Sequence, residues 1–419
     1  MKILLINIRY GYIGGPERYL FNLKRLLENN NHEVIPFSIK YPINEPTVYD
    51  KYFASPLSDS DSVYFKDQKT NIKSLIKTIE RNFYSKEVEI NLSNLIKDTK
   101  PDFAIVLLYL RKLSPAVLVA LNKNKIPFAV RMSDFGMICP NLNLFRANNI
   151  CELCKNGNLF NSVRYKCVHD SYAASLVNYL ATKYHYSKQY FDLIKHFISP
   201  SRFLINKMME GGYIREKFYH IPTFAYPIEQ QNTNKIQNQI VYSGRIEYVK
   251  GVHVLLSGIN ILKRKHHIKL TLKIAGNGDE KYIESLKKYC SEQSLDNVEF
   301  LGNLKKNSLQ NLLQESTFFV IPSLWYDNLP NAALESLACQ TAVIASNHGC
   351  FPEFVIENKT GLLFKPGDAE DLSEKMKFLL ENPYKCNEMG RDGLEFIKEN
   401  HSPQKHYEKL MQTIEKIKS

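Results

Sequence analysis

Arg245 and Lys250 stand in the stretch Gly244-Arg245-Ile246-Glu247-Tyr248-Val249-Lys250-Gly251, which follows a short apolar run and precedes a helical pattern from Val252. A guanidinium fork and a flexible ammonium at that spacing can grip one diphosphate, with a helix N-terminus adding its partial positive charge. The bland counterpart is a solvated basic turn ahead of a helix. Further along, Ile321 to Ala338 reads as strand, loop and helix, with the single tryptophan, Trp325, and Asp327 in the loop and Glu335 in the helix. A carboxylate near a helix start can accept hydrogen bonds from both hydroxyls of a ribose, and an acid in the preceding loop can face a sugar. Otherwise Glu335 complements the helix dipole and Asp327 sits on a solvated turn.

Two weaker constellations lie nearer the start. Gly14-Gly15-Pro16-Glu17-Arg18 sits where the first strand meets the first helix; its glycines permit positive φ and leave backbone N–H groups open to a phosphate, although most Gly-Gly pairs are only turns. Arg131-Met132-Ser133-Asp134-Phe135-Gly136 follows another strand, where Asp134 by itself reads as a turn-forming carboxylate.

Cys139, Cys151, Cys154 and Cys167 form a set with one close pair. Four thiolates suit a tetrahedral structural zinc, with His169 placed to substitute for one of them; free buried thiols or disulfides remain the alternative. Cys290, Cys339, Cys350 and Cys386 are scattered and read as packing residues. From Tyr172 to Phe197 a helical pattern mixes Tyr184, Tyr186 and Tyr190 with Lys183, Lys188 and Lys195. Such a mix can rest on a bilayer surface or form a half-buried helix.

These groups need rigid elements to hold them. A chain of 419 residues exceeds one ordinary core, so two domains are expected. With 44% hydrophobic and 23% charged residues the composition excludes disordered and fibrous classes. The net charge of +12 favours phosphates, nucleic acid or anionic lipid as partners. Met1 to Asn7 reads as a first strand rather than a secretory leader, and no stretch of 18 apolar residues occurs, so a cytoplasmic protein with peripheral membrane contact is expected. Strands are expected at Ile3–Ile8, His32–Ser38, Phe103–Leu108 and Pro127–Arg131, with a helix at Glu17–Leu27 and a helical stretch at Thr70–Lys97. Glu229 to Gln239, rich in Gln, Asn, Thr and Lys, is the linker candidate. Strands then restart at Ile240–Ser243, Leu270–Ala275, Val298–Leu301, Thr317–Pro322 and Ala342–Ser346, and helices run from Ala369 onward.

Gly244-Arg245 with Lys250-Gly251, then Ile274-Ala275-Gly276-Asn277-Gly278, then Pro322 to Ala338, together resemble family 4 retaining glycosyltransferases of the GT-B fold across Ile240 to Gly367. Gly14-Gly15 agrees. The resemblance implies an α/β protein of two Rossmann-like, doubly wound domains facing across a cleft: an acceptor-side domain at 1–228, a nucleotide-sugar domain at 229–400, and a helix at 401–419 packing back on the first. Arg245 and Lys250 would hold the donor diphosphate, Glu335 the ribose, and Asn328, Leu329, Pro330 and Asn331 the transferred sugar, with Gly14, Gly15, Gly244 and Gly276 bringing backbone close. Asp327, Asp134, Arg245 and Lys250 would be the catalytic set. No catalytic metal is expected, because the two cations, the glycine loop and helix dipoles replace it.

Three departures stand out. Asp327 is one methylene shorter than the family's Glu, Asn328-Leu329-Pro330-Asn331 replaces its Phe-Gly and resembles a bacterial surface-polysaccharide branch, and Ser133 stands where many relatives have His. The expected partners are a UDP- or GDP-sugar, a glycan or lipid-linked saccharide acceptor and an anionic membrane surface, but not nucleic acid. The rivals are an inactive nucleotide-sugar-binding subunit and a nucleic-acid-binding protein with a zinc module.

Overall fold

Short apolar strands alternating with amphipathic helices leave each strand buried on both faces, which calls for parallel sheets between helix layers. The computed structural model describes residues 1–12, 14–57, 72–228 and 235–419 and contains two such sheets. The first is built from β1 (Lys2–Ile6), β2 (Glu33–Phe37), β3 (Phe103–Val106) and β4 (Phe128–Arg131). A two-stranded hairpin follows, β5 (Phe145–Arg146) and β6 (Asn149–Ile150), and then β7 (Phe197–Ser199) and β8 (Phe218–His220) complete the sheet in the order β2-β1-β3-β4-β7-β8. Ile3 is paired with Val34 on one side and Phe103 on the other.

The second sheet contains β9 (Gln239–Ser243), β10 (Thr271–Ala275), β11 (Val298–Gly302), β12 (Phe318–Ile321), β13 (Ala342–Ser346) and β14 (Gly361–Phe364). Its order is β11-β10-β9-β12-β13-β14, all parallel. The chain therefore reverses direction across each sheet, between β1 and β3 in one and between β9 and β12 in the other. Loops leaving the carboxyl ends there diverge and open a crevice for a ligand.

Two units contain these sheets: Met1–Leu144 with Cys151–Ile221 and Tyr407–Ser419, and Phe145–Ile150 with Pro222–His406. Within the first, the Tyr407 hydroxyl lies 2.8 Å from His32 Nε2. Among the described residues no helix is long and apolar enough to cross a membrane.

Sequence pattern and structure differ at several elements. The helical stretch expected over Thr70–Lys97 is two helices, Ile72–Phe83 and Lys86–Thr99, and residues 70 and 71 lie outside the described residues. Ser85 breaks them: its side chain caps the second helix while its N–H donates to Ser114 Oγ at 3.0 Å. The aromatic helix ends at Ser187, and Phe197 opens β7. Strands β7 and β8, of three residues each, are too short to show a period, and β14 was not singled out either.

Of the linker candidate, residues 229–234 lie outside the described residues. Lys235 behaves unlike a linker residue. Its ammonium donates to the Ser316 carbonyl at 2.7 Å and to Thr341 Oγ1 at 3.2 Å, and burial pushes its pKa down to about 8.

A polar layer lies under two helices of the first unit, Ile72–Phe83 and Tyr172–Ser187. Arg81, fully buried, donates to the Lys112 and Ser55 carbonyls and to Glu87 Oε2. His185 Nε2 donates to the Phe83 carbonyl at 3.0 Å, and burial, reinforced by Arg111, pushes its pKa down to about 4. An unfolded imidazole titrates near about 6.5, so between these values the unfolded chain binds the extra proton. The native state therefore keeps its full stability above the unfolded pKa and loses it progressively as pH falls toward the folded one. Urea unfolding at pH 7 and pH 5 should show His185→Gln losing less stability than the native sequence over that interval, by about 2 kcal/mol. Equal losses would contradict the buried neutral imidazole.

Candidate active site

The chemistry-bearing loops of the second unit leave the carboxyl ends of β9, β10 and β12. Gly276 follows β10 at φ +143°, and a Cβ there would lie 1.9 Å from the Gly244 carbonyl oxygen. Only glycine lets the two turns approach this closely. Gly251 caps the helix Val252–Lys265 at φ +72°, where a Cβ would meet the Pro322 carbonyl at 1.8 Å. No side chain caps that helix. The Leu324 N–H donates to the Val249 carbonyl at 2.8 Å, tying the loop after β12 to the loop after β9.

This stitching brings Lys250 against Asp327. The ammonium donates to Oδ1 at 2.5 Å, and Ser323 Oγ donates to Oδ2 at 2.6 Å. The side chains of Lys250 and Asp327 are 13% and 9% exposed, so the pair is largely shielded from water. Arg245, 47% exposed, reaches Glu247 Oε1 at 2.8 Å rather than pointing at the same place as Lys250. Both cations nevertheless flank one ring: the Trp325 centroid lies 5.1 Å from Lys250 Nζ and 5.8 Å from Arg245 Cζ. The indole Nε1 is buried with no hydrogen-bond partner, a donor whose desolvation goes uncompensated.

Supporting groups fix this arrangement. Tyr242 Oη donates to the Arg245 carbonyl at 2.6 Å and holds the turn. His348 Nε2 donates to the Ser323 carbonyl at 2.7 Å, and burial keeps its pKa below the usual imidazole value. Leu329 sits at φ +114°, a conformation costly for a side chain with a Cβ and found where surrounding structure enforces it. Pro330 precedes the helix Asn331–Ala338, on which Glu335 is partly exposed, as are Asn328 and Asn331 in the approach to it.

In the first unit, Gly14 is the N-cap of the helix Gly15–Glu28. A separate cavity at the carboxyl ends of β3 and β4 is lined by Leu108, Tyr109, Arg131, Ser133, Asp134 and Met137 among others. Asp134 Oδ1 accepts from the Gly136 N–H at 2.8 Å; burial pushes its carboxyl up, opposed by that hydrogen bond and by Arg111. Arg131 stacks 3.7 Å above the Tyr19 ring. Burial, with Arg9 nearby, pushes Lys112 down to about 8.

The structure thus gathers Gly244, Arg245, Lys250, Gly276 and Asp327 in one place, while Gly14, Gly15 and Asp134 belong to the other unit. Tyr109, Lys112 and His348 were not foreseen, although Tyr109 and His348 lie two or three residues past a strand end, the positional signal that marked the others; Lys112 lies further along the loop after β3. The four-thiol zinc reading is not supported: among the described residues no group of three or more His, Cys, Asp or Glu side chains is arranged to hold a metal ion. Among the described residues Cys139, Cys151, Cys154 and Cys167 form no disulfide. Burial, reinforced by the other three cysteines close by, pushes the Cys154 thiol up to about 12.

Residues 227–396 match the family model for glycosyl transferases group 1. That segment is similar to the group 1 glycosyltransferases along its length. The chain is 33% identical over 147 residues to glycogen synthase of Mycobacterium tuberculosis, a match covering 35% of this chain and 34% of that protein. The chain thus matches about a third of that curated relative's length. As a fold, the whole chain superposes on sucrose-phosphate synthase of Thermosynechococcus elongatus with a TM-score of 0.69 at 17% identity, covering 99% and 98% of the two chains. HepE of Anabaena, solved with UDP and glucose, gives a TM-score of 0.67 at 13% identity with 99% of each chain covered. Two parallel six-stranded sheets with these likenesses constitute the GT-B fold.

Proposed function

We propose that the protein is a retaining glycosyltransferase that moves a sugar from a UDP- or GDP-sugar to a glycan or lipid-linked saccharide in surface-polysaccharide synthesis, working at the inner face of the membrane. The observation that carries this reading is the buried, unpartnered Trp325 N–H flanked by Lys250 and Arg245 where the second sheet changes direction. Two cations and an unused donor around one aromatic face suit an anionic ligand. The donor diphosphate would draw both cations from their carboxylate partners, and the uncapped helix N-terminus at Val252 would add to the stabilisation of the leaving group.

Glu335 would accept from the ribose hydroxyls, and the backbone from Asn328 to Asn331 would follow the sugar. Asp134, with its carboxyl pushed up by burial, would orient the acceptor hydroxyl while the leaving phosphate takes its proton. Ser133, at a position where many relatives carry His, supports that division of labour, with Arg131 as the alternative orienting group. UDP in the HepE structure supports a uridine donor here.

Thermal stabilisation by one nucleoside diphosphate and not others, together with transfer of labelled sugar from the corresponding donor, is the test. Binding without turnover would favour the inactive subunit, and stabilisation by oligonucleotide alone would overturn the reading. Glu335→Gln should weaken binding of that nucleotide about 10-fold while leaving inorganic diphosphate nearly unaffected, as calorimetry would show. Equal losses for the two ligands would remove Glu335 from the ribose.

A further inference from the structure

Two neighbouring helices of the first unit are amphipathic in the wrong sense. A surface helix normally turns its apolar stripe to the core. In the helix Ile72–Phe83 the buried side chains among those described are Ser74, Arg81 and Asn82, while Ile72 is 79% exposed, Ile76 62% and Leu75 52%. Ile79, one turn on, continues the exposed row. The helix Tyr172–Ser187 repeats the inversion. It buries Ser175, Thr182 and His185 with Ala181 as the only buried apolar residue among its described side chains, and it exposes Tyr172, Leu176 and Leu180 at four-residue intervals.

The two helices pack on each other, and the hydrogen bond from His185 to the Phe83 carbonyl joins their C-terminal ends. Phe160, exposed and edge-on to Tyr179, extends the apolar surface. A contiguous apolar face on two adjoining helices marks an interaction site.

Charge identifies its occupant. Arg164, Lys166, Lys183 and Lys188 border the second helix, and among the described residues none of them has a carboxylate partner. Arg164 and Lys166 lie over the rings of Tyr165 and Tyr172, and Lys188 lies near that of Tyr184. Asp170 is the only acid between residues 160 and 190. Apolar side chains in the middle, phenols at their edge and unpaired cations around them match the depth profile of a bilayer with anionic headgroups. A second copy docking through the same face would oppose like charges, which disfavours a two-fold dimer there.

We infer that the exposed faces of Ile72–Phe83 and Tyr172–Ser187 form a docking surface for an anionic lipid bilayer. The inference deepens the peripheral-membrane part of the proposed function by naming the face, and it is independent of the sugar-transfer chemistry. Flotation of the full chain with vesicles of phosphatidylcholine containing about 30% phosphatidylglycerol, without any donor, tests it. Binding should exceed that to pure phosphatidylcholine and weaken with salt. The double variant Ile76→Glu with Leu176→Glu should lower partitioning at least about 10-fold. Lys183→Glu with Lys188→Glu should remove about 10-fold and most of the salt dependence. All these positions are already solvent-exposed, so an unchanged melting temperature and unchanged nucleoside diphosphate binding should accompany the loss. Failure of the native chain to float with anionic vesicles would overturn the inference, as would a dimer in sedimentation equilibrium that the first variant dissociates without any vesicle binding by the native chain. Neither result would bear on the donor site.

Discussion

Lys250→Ala should lower kcat/KM by about 10³-fold, with donor affinity falling by about 2 to 4 kcal/mol. The size follows from the environment. Lys250 is 13% exposed and lies over the Trp325 ring, so little water is available to replace its charge at a diphosphate. Lys250→Arg should recover little, because a planar fork cannot occupy the space of an ammonium already 2.5 Å from Asp327. Arg245→Ala should cost only about 10- to 50-fold, since that guanidinium is half exposed and its partner Glu247 can resolvate. Steady-state kinetics with the preferred donor, beside calorimetry with its nucleoside diphosphate, would check both. A Lys250→Ala enzyme within about 10-fold of the native rate would dissolve the proposed diphosphate site.

Asp327→Ala should damage stability as well as activity. Its carboxylate is the shared acceptor of Lys250 and Ser323, and truncating it leaves a shielded ammonium and a buried hydroxyl without their partner. Removing one member of such a pair costs about 2 to 4 kcal/mol, which in a unit of this size lowers the melting temperature by about 5 to 15 °C. Turnover should fall by at least about 10²-fold. Asp327→Glu should be far milder, because it keeps the charge and adds one methylene to match the residue found in family 4 relatives. Differential scanning calorimetry and a transfer assay on both variants are the measurement. Equal harm from the two would mean that reach, rather than charge, is what the position supplies.

Much of this architecture is written in local pattern. Leu20, Leu23, Leu26 and Leu27 define the buried face of the first helix, and the apolar runs at Phe103, Pro127 and Ile240 each became a strand. Lys250, Asp327 and Gly276 could be picked out because loops after strands in a doubly wound sheet converge whatever their separation in the chain. What stayed hidden depends on three-dimensional partners. Whether Arg245 turns to Glu247 or to the neighbour of Lys250 is a matter of rotamer and burial, and spacing contains neither. The orphaned Trp325 N–H, the His348 hydrogen bond to Ser323 and the left-handed Leu329 are likewise products of packing. The inverted helices mislead most. A periodic apolar stripe normally announces the core; for Tyr172 to Phe197 the sequence also allowed a bilayer-facing reading, and the buried Ser74, Arg81, Thr182 and His185 show that in both helices the stripe faces outward.

Lys235 sets a limit for anyone recombining this protein with its relatives. The polar composition before β9 invites a junction anywhere up to Gln239, yet that ammonium plugs the ends of two later segments by satisfying the Ser316 carbonyl and the Thr341 hydroxyl. A swap that takes its donor half from residue 228 onward carries the plug with it. One spliced a few residues later takes that donor from the Ser316 carbonyl and leaves Thr341 Oγ1 only its bond to the Leu313 carbonyl and a longer one to Cys339.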